Sequence, residues 1–306
     1  MKRKFPGLLR GKQVALLLGG PGKERDVSLR SGAAVAGALR TAGALVTEID
    51  VTAPDFPLPA DTGLAFNIIH GTFGEDGELQ TILDRRGIPY TGEGAEGSRR
   101  AFDKIATKAA FDSAGVPTSA WHAVLRGESP RLDFPYVVKA PRQGSSVGVH
   151  IVRDAAGLAP ALDDCFLYGD QVLVEAFFRG RELTVGILGD RALPVVEIVP
   201  HEGFYDYEHK YTKGASDYHV PAALSDGQTR SVQAVALAAH CSLGLEVYSR
   251  VDVLLADDGR MSVLEVNTIP GMTETSLLPK AAAVAGLDFS MLCEEIAGLS
   301  FAKGLP

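Results

Sequence analysis

The sequence predicts an α/β unit built on a doubly wound parallel sheet, followed by two α+β units. Three observations carry this. The chain opens with an apolar run, a glycine turn and a helical pattern (13–18, 19–22 and 25–42), the order in which a βαβ unit begins. Beyond residue 115 the pattern changes to short β-like runs interrupted by turn residues, as in sheets with helices segregated to one face. A length of 306 residues is more than one hydrophobic core organises.

Taken in order, Gln13-Val14-Ala15-Leu16-Leu17-Leu18 is almost continuously apolar and reads as a strand buried on both faces. Strands at 45–51 and 64–69 continue the alternation, so residues 1–95 form the first unit. Ligands of such sheets collect at the carboxyl ends of the strands. Two loops lie there, Gly19-Gly20-Pro21-Gly22-Lys23-Glu24 and His70-Gly71-Thr72-Phe73-Gly74-Glu75-Asp76-Gly77. A helix over 99–114 stops at Gly115-Val116-Pro117. Strands at 121–125, 136–139, 149–152 and 171–176, with a helix at 155–162, complete a central unit, 96–182. The third unit, 183–306, contains one long irregular stretch, 201–220. Phe204, Tyr205, Tyr207, Tyr211 and Tyr218 make that stretch too aromatic for solvated disorder, so it is expected to be a lid or binding loop.

Composition is that of an ordinary soluble protein, 46% hydrophobic and 22% charged. The formal net charge of −8 argues against nucleic acid or an anionic membrane as the main partner. Cys165, Cys241 and Cys293 show no Cys-x-x-Cys spacing, so neither a disulfide framework nor a zinc site is expected. Met1-Lys2-Arg3-Lys4 is basic, but the following run, broken by Pro6 and Gly7, is too short for a signal-peptide core. No apolar run is long enough to span a bilayer. A cytoplasmic location is expected.

The chemistry is densest near the end of the chain. In Leu264-Glu265-Val266-Asn267 and in Arg250-Val251-Asp252-Val253, polar groups stand two apart on apolar runs. Residues two apart on a strand share a face, so Asp252, Glu265 and Asn267 can offer oxygens to one hard cation, with Arg250 beside a phosphoryl group. A solvated strand end would explain Glu265 alone. Four polar groups at period two on two buried-looking strands favour a site, because buried charges are costly unless paired or metal-bound.

Other motifs say less by themselves. The first glycine turn lacks the G-x-G-x-x-G spacing, and no GxxxxGK[ST] loop occurs, which disfavours a Rossmann dehydrogenase or a P-loop ATPase. Glu24 falls where a helix should start, and stabilisation of the helix dipole would explain it. Gly144-Ser145-Ser146-Val147-Gly148 offers amides and hydroxyls to an anion. Lys104 and Lys139 suit nucleotide phosphates, although each alone reads as a solvated surface lysine, and Asp103 and Lys108 as routine exposed charge around a helix start. For His70, a hydrogen-bonding role outranks a metal site, since no second histidine stands at ligand spacing.

Together these motifs resemble the D-alanine–D-alanine ligases of the ATP-grasp superfamily. The resemblance rests on Gly19-Gly20 through Glu24-Arg25-Asp26-Val27-Ser28-Leu29, His70 through Gly77, Gly87-Ile88-Pro89-Tyr90-Thr91-Gly92, Gly144 through Gly148, Tyr205-Asp206-Tyr207 with Lys210-Tyr211, and Glu265 through Thr273 with Ser276-Leu277. These run in family order over nearly the whole chain. The resemblance implies an ATP-grasp fold in which the second and third units sandwich ATP. It implies ATP-dependent joining of two D-alanine molecules through an acyl phosphate, for peptidoglycan precursor synthesis. Two Mg2+ or Mn2+ ions would be held by Asp252, Glu265 and Asn267. Lys104, Lys139, Ser146 and Lys210 would bind nucleotide, and Glu175 and Glu182 would reach its adenine and ribose. Arg250 and the Gly271 amide would stabilise the tetrahedral intermediate. Glu24, Ser145 and Tyr211 would form a hydrogen-bonded triad that closes the lid, with Glu24 also fixing the first D-alanine. His70, Ser276 and Leu277 would line the substrate site, and Tyr211 points to D-alanine rather than D-lactate as second substrate. A homodimer is expected. The chain departs from the family pattern at Ala140, where proline is usual, and at Gln143, where glutamate is usual. His209 before Lys210, and the glycine-rich acidic segment Glu93-Gly94-Ala95-Glu96-Gly97, are also unusual.

Overall fold

A computed structural model describes residues 3–145, 147–201 and 216–303. The first sheet has three parallel strands, β1 (Gln13–Gly19), β2 (Leu45–Val51) and β3 (Leu64–Asn67), in the order β2-β1-β3. Period-two alternation along β1 divides its side chains between two cores. Val14, Leu16 and Leu18 pack with Val35 and Leu39 of helix α1 (Arg25–Thr41). Ala15 and Leu17 face the other way, against Leu79 and Leu83 of α2 (Glu78–Arg86). Helices therefore cover both faces, which is why β1 is apolar at successive positions. The third strand ends at Asn67 rather than Ile69. Beyond it the Asn67 side chain takes over the local bonding, accepting from the Ile69 amide at 2.9 Å and donating to Gly74 O at 3.1 Å.

The helix expected over 99–114 is two helices, α3 (Ala95–Phe102) and α4 (Lys104–Ala114). Asp103 separates them because its extended backbone ends one helix while its carboxylate caps the next, accepting from the Ile105 and Ala106 amides. The second sheet is antiparallel, in the order β4-β7-β5-β6, from β4 (Trp121–Leu125), β5 (Tyr136–Lys139), β6 (Val149–Val152) and β7 (Gln171–Ala176). The helix expected at 155–162 begins as a 3-10 turn capped by Asp154 and continues as α5 (Leu158–Cys165).

The third sheet is built from β8 (Arg181–Leu188), β9 (Arg191–Ala192), β10 (Val196–Pro200), β11 (Ser216–His219), β12 (Tyr248–Leu255) and β13 (Met261–Asn267). Its order is β11-β10-β8-β12-β13, with β9 on β8. The expected irregular stretch 201–220 is thus partly regular: Ser216–His219 pairs antiparallel with β10, an edge that would otherwise leave backbone groups unpaired. Residues 202–215 lie outside the described residues. Helix α6 (Asp226–Ser242) starts with a reciprocal capping box between Ser225 and Gln228 and buries Val232, Ala236 and Ala239 on this sheet, where Ala101 of α3 and Phe111 of α4 join them. Helix α7 (Leu277–Val284) packs on β8 and on α8 (Phe289–Ala302), which lies beside α1, so the first sheet and the third share one core through Leu16, Leu39, Leu278 and Ile296.

Glu93 ties these parts together. Its buried carboxylate accepts three backbone N–H groups at the start of β12, those of Glu246, Val247 and Tyr248, at 2.9, 2.8 and 3.0 Å. Glu93→Ala would strand those amides without a partner, at a cost of about 1–3 kcal/mol or more, readable as a lower urea midpoint with unchanged m.

Candidate active site

On the antiparallel pair β12 and β13, Asp252 stands opposite Glu265 and Arg250 opposite Asn267. On the other side, Asp252 faces Thr184 of β8. Cross-strand neighbours on one face are within side-chain reach, and the side chains meet. Arg250 donates from Nε and Nη2 to the two carboxylate oxygens of Asp252 at 2.9 and 2.8 Å. The Thr184 hydroxyl donates to Asp252 Oδ1 at 2.6 Å, and Asn267 Nδ2 lies 3.4 Å from Asp252 Oδ2. Lys104 Nζ is 3.5 Å from Glu265 Oε2. The donors gathered here are two carboxylates and a side-chain amide, an oxygen set that suits a hard divalent cation. Arg250 and Lys104 balance their charge. Glu182 lies one alternation along β8 from Thr184, opposite Leu254, and is half-buried.

A register shift beyond Asp252 leaves Leu264 unopposed on β13, a β-bulge. Next to it, the outer side of Val263 is covered by the segment after α4. Val263 N donates to Pro117 O at 2.8 Å, and Val263 O accepts from the Thr118 hydroxyl at 2.9 Å and from Lys108 Nζ at 3.2 Å.

Lys108 stands furthest from the exposed position its sequence context suggests. It is fully buried, as is Glu175 of β7 to within a few per cent, and Lys139 of β5 is nearly so. Lys108 Nζ lies 2.7 Å from Glu175 Oε2, and Lys139 Nζ contacts Glu175 Oε1. Lys108 and Lys139 are therefore not solvated surface charges, and neither is Lys104, whose side chain is largely buried between Gln143 O and Glu265. Burial raises the Glu175 carboxyl, but the ammonium groups of Lys139 and Lys108 outweigh it and hold the group down at about 2. Burial lowers the Lys108 ammonium against the opposing pull of Glu175. A signal did exist: Lys104, Lys108 and Phe111 recur at helical spacing, and α4 buries Lys108 and Phe111 together. Thr184, which binds Asp252, carried no such signal.

The loop between β5 and β6 is tied to α4 at its start. Lys104 Nζ donates to Gln143 O at 2.7 Å, Lys104 N to Pro141 O at 3.0 Å, and Arg142 Nε to Asp103 Oδ2 at 2.8 Å. Ala140 N donates to Gly148 O at 2.8 Å, a bond that proline at 140 would lack. The Gln143 contact to Lys104 uses the backbone, so replacing glutamate there leaves it intact.

Glu24 reaches this loop from the first sheet. It occupies the N-cap position of α1, yet its side chain makes no capping bond. It accepts instead from the hydroxyl of Ser145, whose φ of 52° is unusual for a residue with a side chain. The carboxylate is wedged between two glycines: a Cβ on Gly71 would stand 2.2 Å from Glu24 Oε2, and one on Gly144 2.8 Å. Only glycine lets both loops approach this closely. The Glu24 side chain is therefore engaged by the two loops rather than by the first turn of α1.

His70 connects the same loop to the end of β13. Its Nδ1 is 2.8 Å from Ile269 O, so the proton is assigned to Nδ1, and Nε2 faces the Ser31 hydroxyl at 3.1 Å. Burial pushes the nearby Glu75 carboxyl up, despite His70. Gly271 lies against Ser276, the N-cap of α7, whose hydroxyl accepts from the Thr273 amide at 3.0 Å rather than capping the helix. Leu277, the first residue of α7, is buried. Ser146, Lys210 and Tyr211 lie outside the described residues. Sheet and helix ends thus join Glu24 to Ser145, His70 to Ile269 and Ser31, and Gly271 to Ser276. The Arg250–Asp252–Glu265–Asn267 row with Lys104 forms a separate set of contacts, and Lys139 with Glu175 another.

A family model described as "D-ala D-ala ligase C-terminus" matches residues 110–297. A protein from Methylacidiphilum infernorum named D-alanine–D-alanine ligase is 51% identical over 292 residues, covering 95% of this chain and 96% of that protein. One of the same name from Citrifermentans bemidjiense is 46% identical over 288 residues, covering 93% and 94%. Among solved structures, D-alanine–D-alanine ligase from Bacillus anthracis complexed with ATP superposes with a TM-score of 0.84 at 31% identity, over 96% of this chain and 98% of that one. VanG D-Ala:D-Ser ligase from Enterococcus faecalis gives the same TM-score, 0.84, at 27% identity, over 95% and 100%.

Removing the charge of Glu175 tests the buried lysine cluster. Glu175→Gln leaves two ammonium groups facing no anion, a loss of about 3–5 kcal/mol near neutral pH. The carboxyl is depressed in the folded protein from an ordinary 4.5 to about 2. Its contribution is therefore complete above the ordinary value and fades as pH falls toward 2. Urea unfolding of both proteins between pH 6 and pH 3 should show the gap closing on the acid side.

Proposed function

The chain belongs to the D-alanine–D-alanine ligase family, and on that premise we propose how its site joins two D-alanine molecules with ATP to form the D-alanyl-D-alanine of peptidoglycan precursors. A carboxylate is a poor acyl donor. ATP transfers its γ-phosphoryl group to the carboxylate of the first D-alanine, releasing ADP. The amine of the second D-alanine then attacks the acyl phosphate, loses its proton and displaces inorganic phosphate. The observation that carries this reading is the row of Arg250, Asp252, Glu265 and Asn267 on two paired strands. It sets a guanidinium beside oxygen donors, as phosphoryl transfer requires.

Asp252, Glu265 and Asn267 are the residues that would hold two Mg2+ or Mn2+ ions. When bound, such ions neutralise phosphate oxygens and help orient the transferring group. Lys104, Lys139, Ser146 and Lys210 would bind the nucleotide phosphates, and Glu175 and Glu182 the adenine and ribose. Glu24 would fix the ammonium group of the first D-alanine, and its contact with Ser145 ties substrate binding to the phosphate loop. Arg250 and the Gly271 amide would donate to the oxyanion of the tetrahedral intermediate. Ser276, with Leu277 at the head of α7, would receive the carboxylate of the second D-alanine, as helix N-termini favour anions; His70 would orient the site through Ile269. Tyr211 would complete the triad and close the lid, excluding water that hydrolyses the acyl phosphate. The division into units 1–95, 96–182 and 183–306, a cytoplasmic location and a homodimer belong to the same proposal. Among the described residues, no helix is long and apolar enough to cross a membrane.

Two measurements test this. Phosphate release with ATP, assayed over a panel of D- and L-amino acids, D-serine and D-lactate with product masses, should show turnover with D-alanine and a dipeptide product; preference for an ester or for D-alanyl-D-serine would refute it. Arg250→Ala should lower turnover by about a hundredfold or more with the circular dichroism spectrum unchanged, and wild-type turnover would remove Arg250 from the mechanism.

A further inference from the structure

Outside the ligase site, β6 and α5 bring together three side chains of metal-binding type. A nitrogen of His150, a carboxylate oxygen of Asp164 and the thiol of Cys165 all lie within 4.8 Å of one another. We propose that these residues form a binding site for a thiophilic divalent cation such as Zn2+.

The donor set separates this site from the oxygen row on β12 and β13. Imidazole, carboxylate and thiolate suit zinc, whereas oxygen donors suit magnesium. Zinc bonds of about 2.0–2.3 Å at tetrahedral angles set ligand atoms roughly 3.3–3.7 Å apart. His150 Nε2 and Asp164 Oδ2 are now 2.7 Å apart, with both side chains 38% exposed, so small rotations open that pair around an ion. Cys165 is buried and supplies the inner ligand, while the two exposed residues give a path from solvent. Three protein ligands leave a fourth position for water. His150 and Asp164 alone would be an ordinary surface ion pair; the thiol beneath them makes the set selective for a soft-ligand metal.

The site touches the base of the phosphate loop. Cys165 Sγ donates to Gly148 O at 3.2 Å, the same carbonyl that accepts from Ala140 N. A thiolate bound to metal has no proton to donate, so occupancy leaves Ala140 as the partner of that carbonyl.

The test is a titration of chelator-treated protein with Co2+ as a spectroscopic probe, without nucleotide or Mg2+. The expected result is one equivalent bound with a thiolate-to-cobalt charge-transfer band in the near ultraviolet, removed by Zn2+. The band should be absent in Cys165→Ala and retained in Cys241→Ser, which controls for the exposed cysteine. His150→Gln, a change at a half-exposed position, should weaken binding by more than about tenfold. A wild-type protein without the band, a band that persists in Cys165→Ala, or His150→Gln binding as tightly as wild type would each overturn the site.

Discussion

The lysine–glutamate–lysine contact beneath the second and third sheets is the constraint on which the rest depends. An ammonium group at full burial is tolerated only with a charged partner and hydrogen-bond acceptors around it. Lys108 has all of these: Glu175 from β7, the Thr118 hydroxyl and the Val263 carbonyl of β13. Through that one nitrogen, helix α4 is registered against both sheets. The cluster holds two cations and one anion among these three residues, so Glu175 stays ionised. A second cation, that of Lys139, remains at the end of β5 where the phosphate loop begins.

The loop is organised from the same place. Asp103 and Lys104, at the start of α4, hold its first residues, Ala140 and Gly148 close its base, and Glu24 meets Ser145 at its tip. The two departures from the family pattern have different weights in this arrangement. Ala140 adds a backbone donor that the loop uses, whereas the Gln143 backbone serves Lys104 whatever its side chain.

Much of this was legible beforehand because local rules govern it. Strands at 121–125, 136–139, 149–152 and 171–176 stand where their β-branched and aromatic residues placed them. That Arg250 shares a face with Asp252, and Glu265 with Asn267, follows from period-two spacing on each strand. What escaped notice depended on partners far along the chain. The break at Asp103 needed recognition that one carboxylate serves as a cap within a continuous helical pattern. Ser216–His219 looked irregular because a short edge strand is defined by its neighbour β10. Glu24 looked like a helix-start charge because Gly71 and Gly144, which wedge its carboxylate, are distant in sequence.

By itself the sequence determined the order of elements, the family and the types of chemical group at the site, since periodicity, turn residues and motif spacing are local properties of the chain. Only the tertiary structure decided which charges are buried and what they meet. Burial and electrostatic pairing depend on which surfaces the sheets press together, and no spacing along the chain encodes that Lys108 faces Glu175, that Thr184 binds Asp252, or that Cys165 lies under His150.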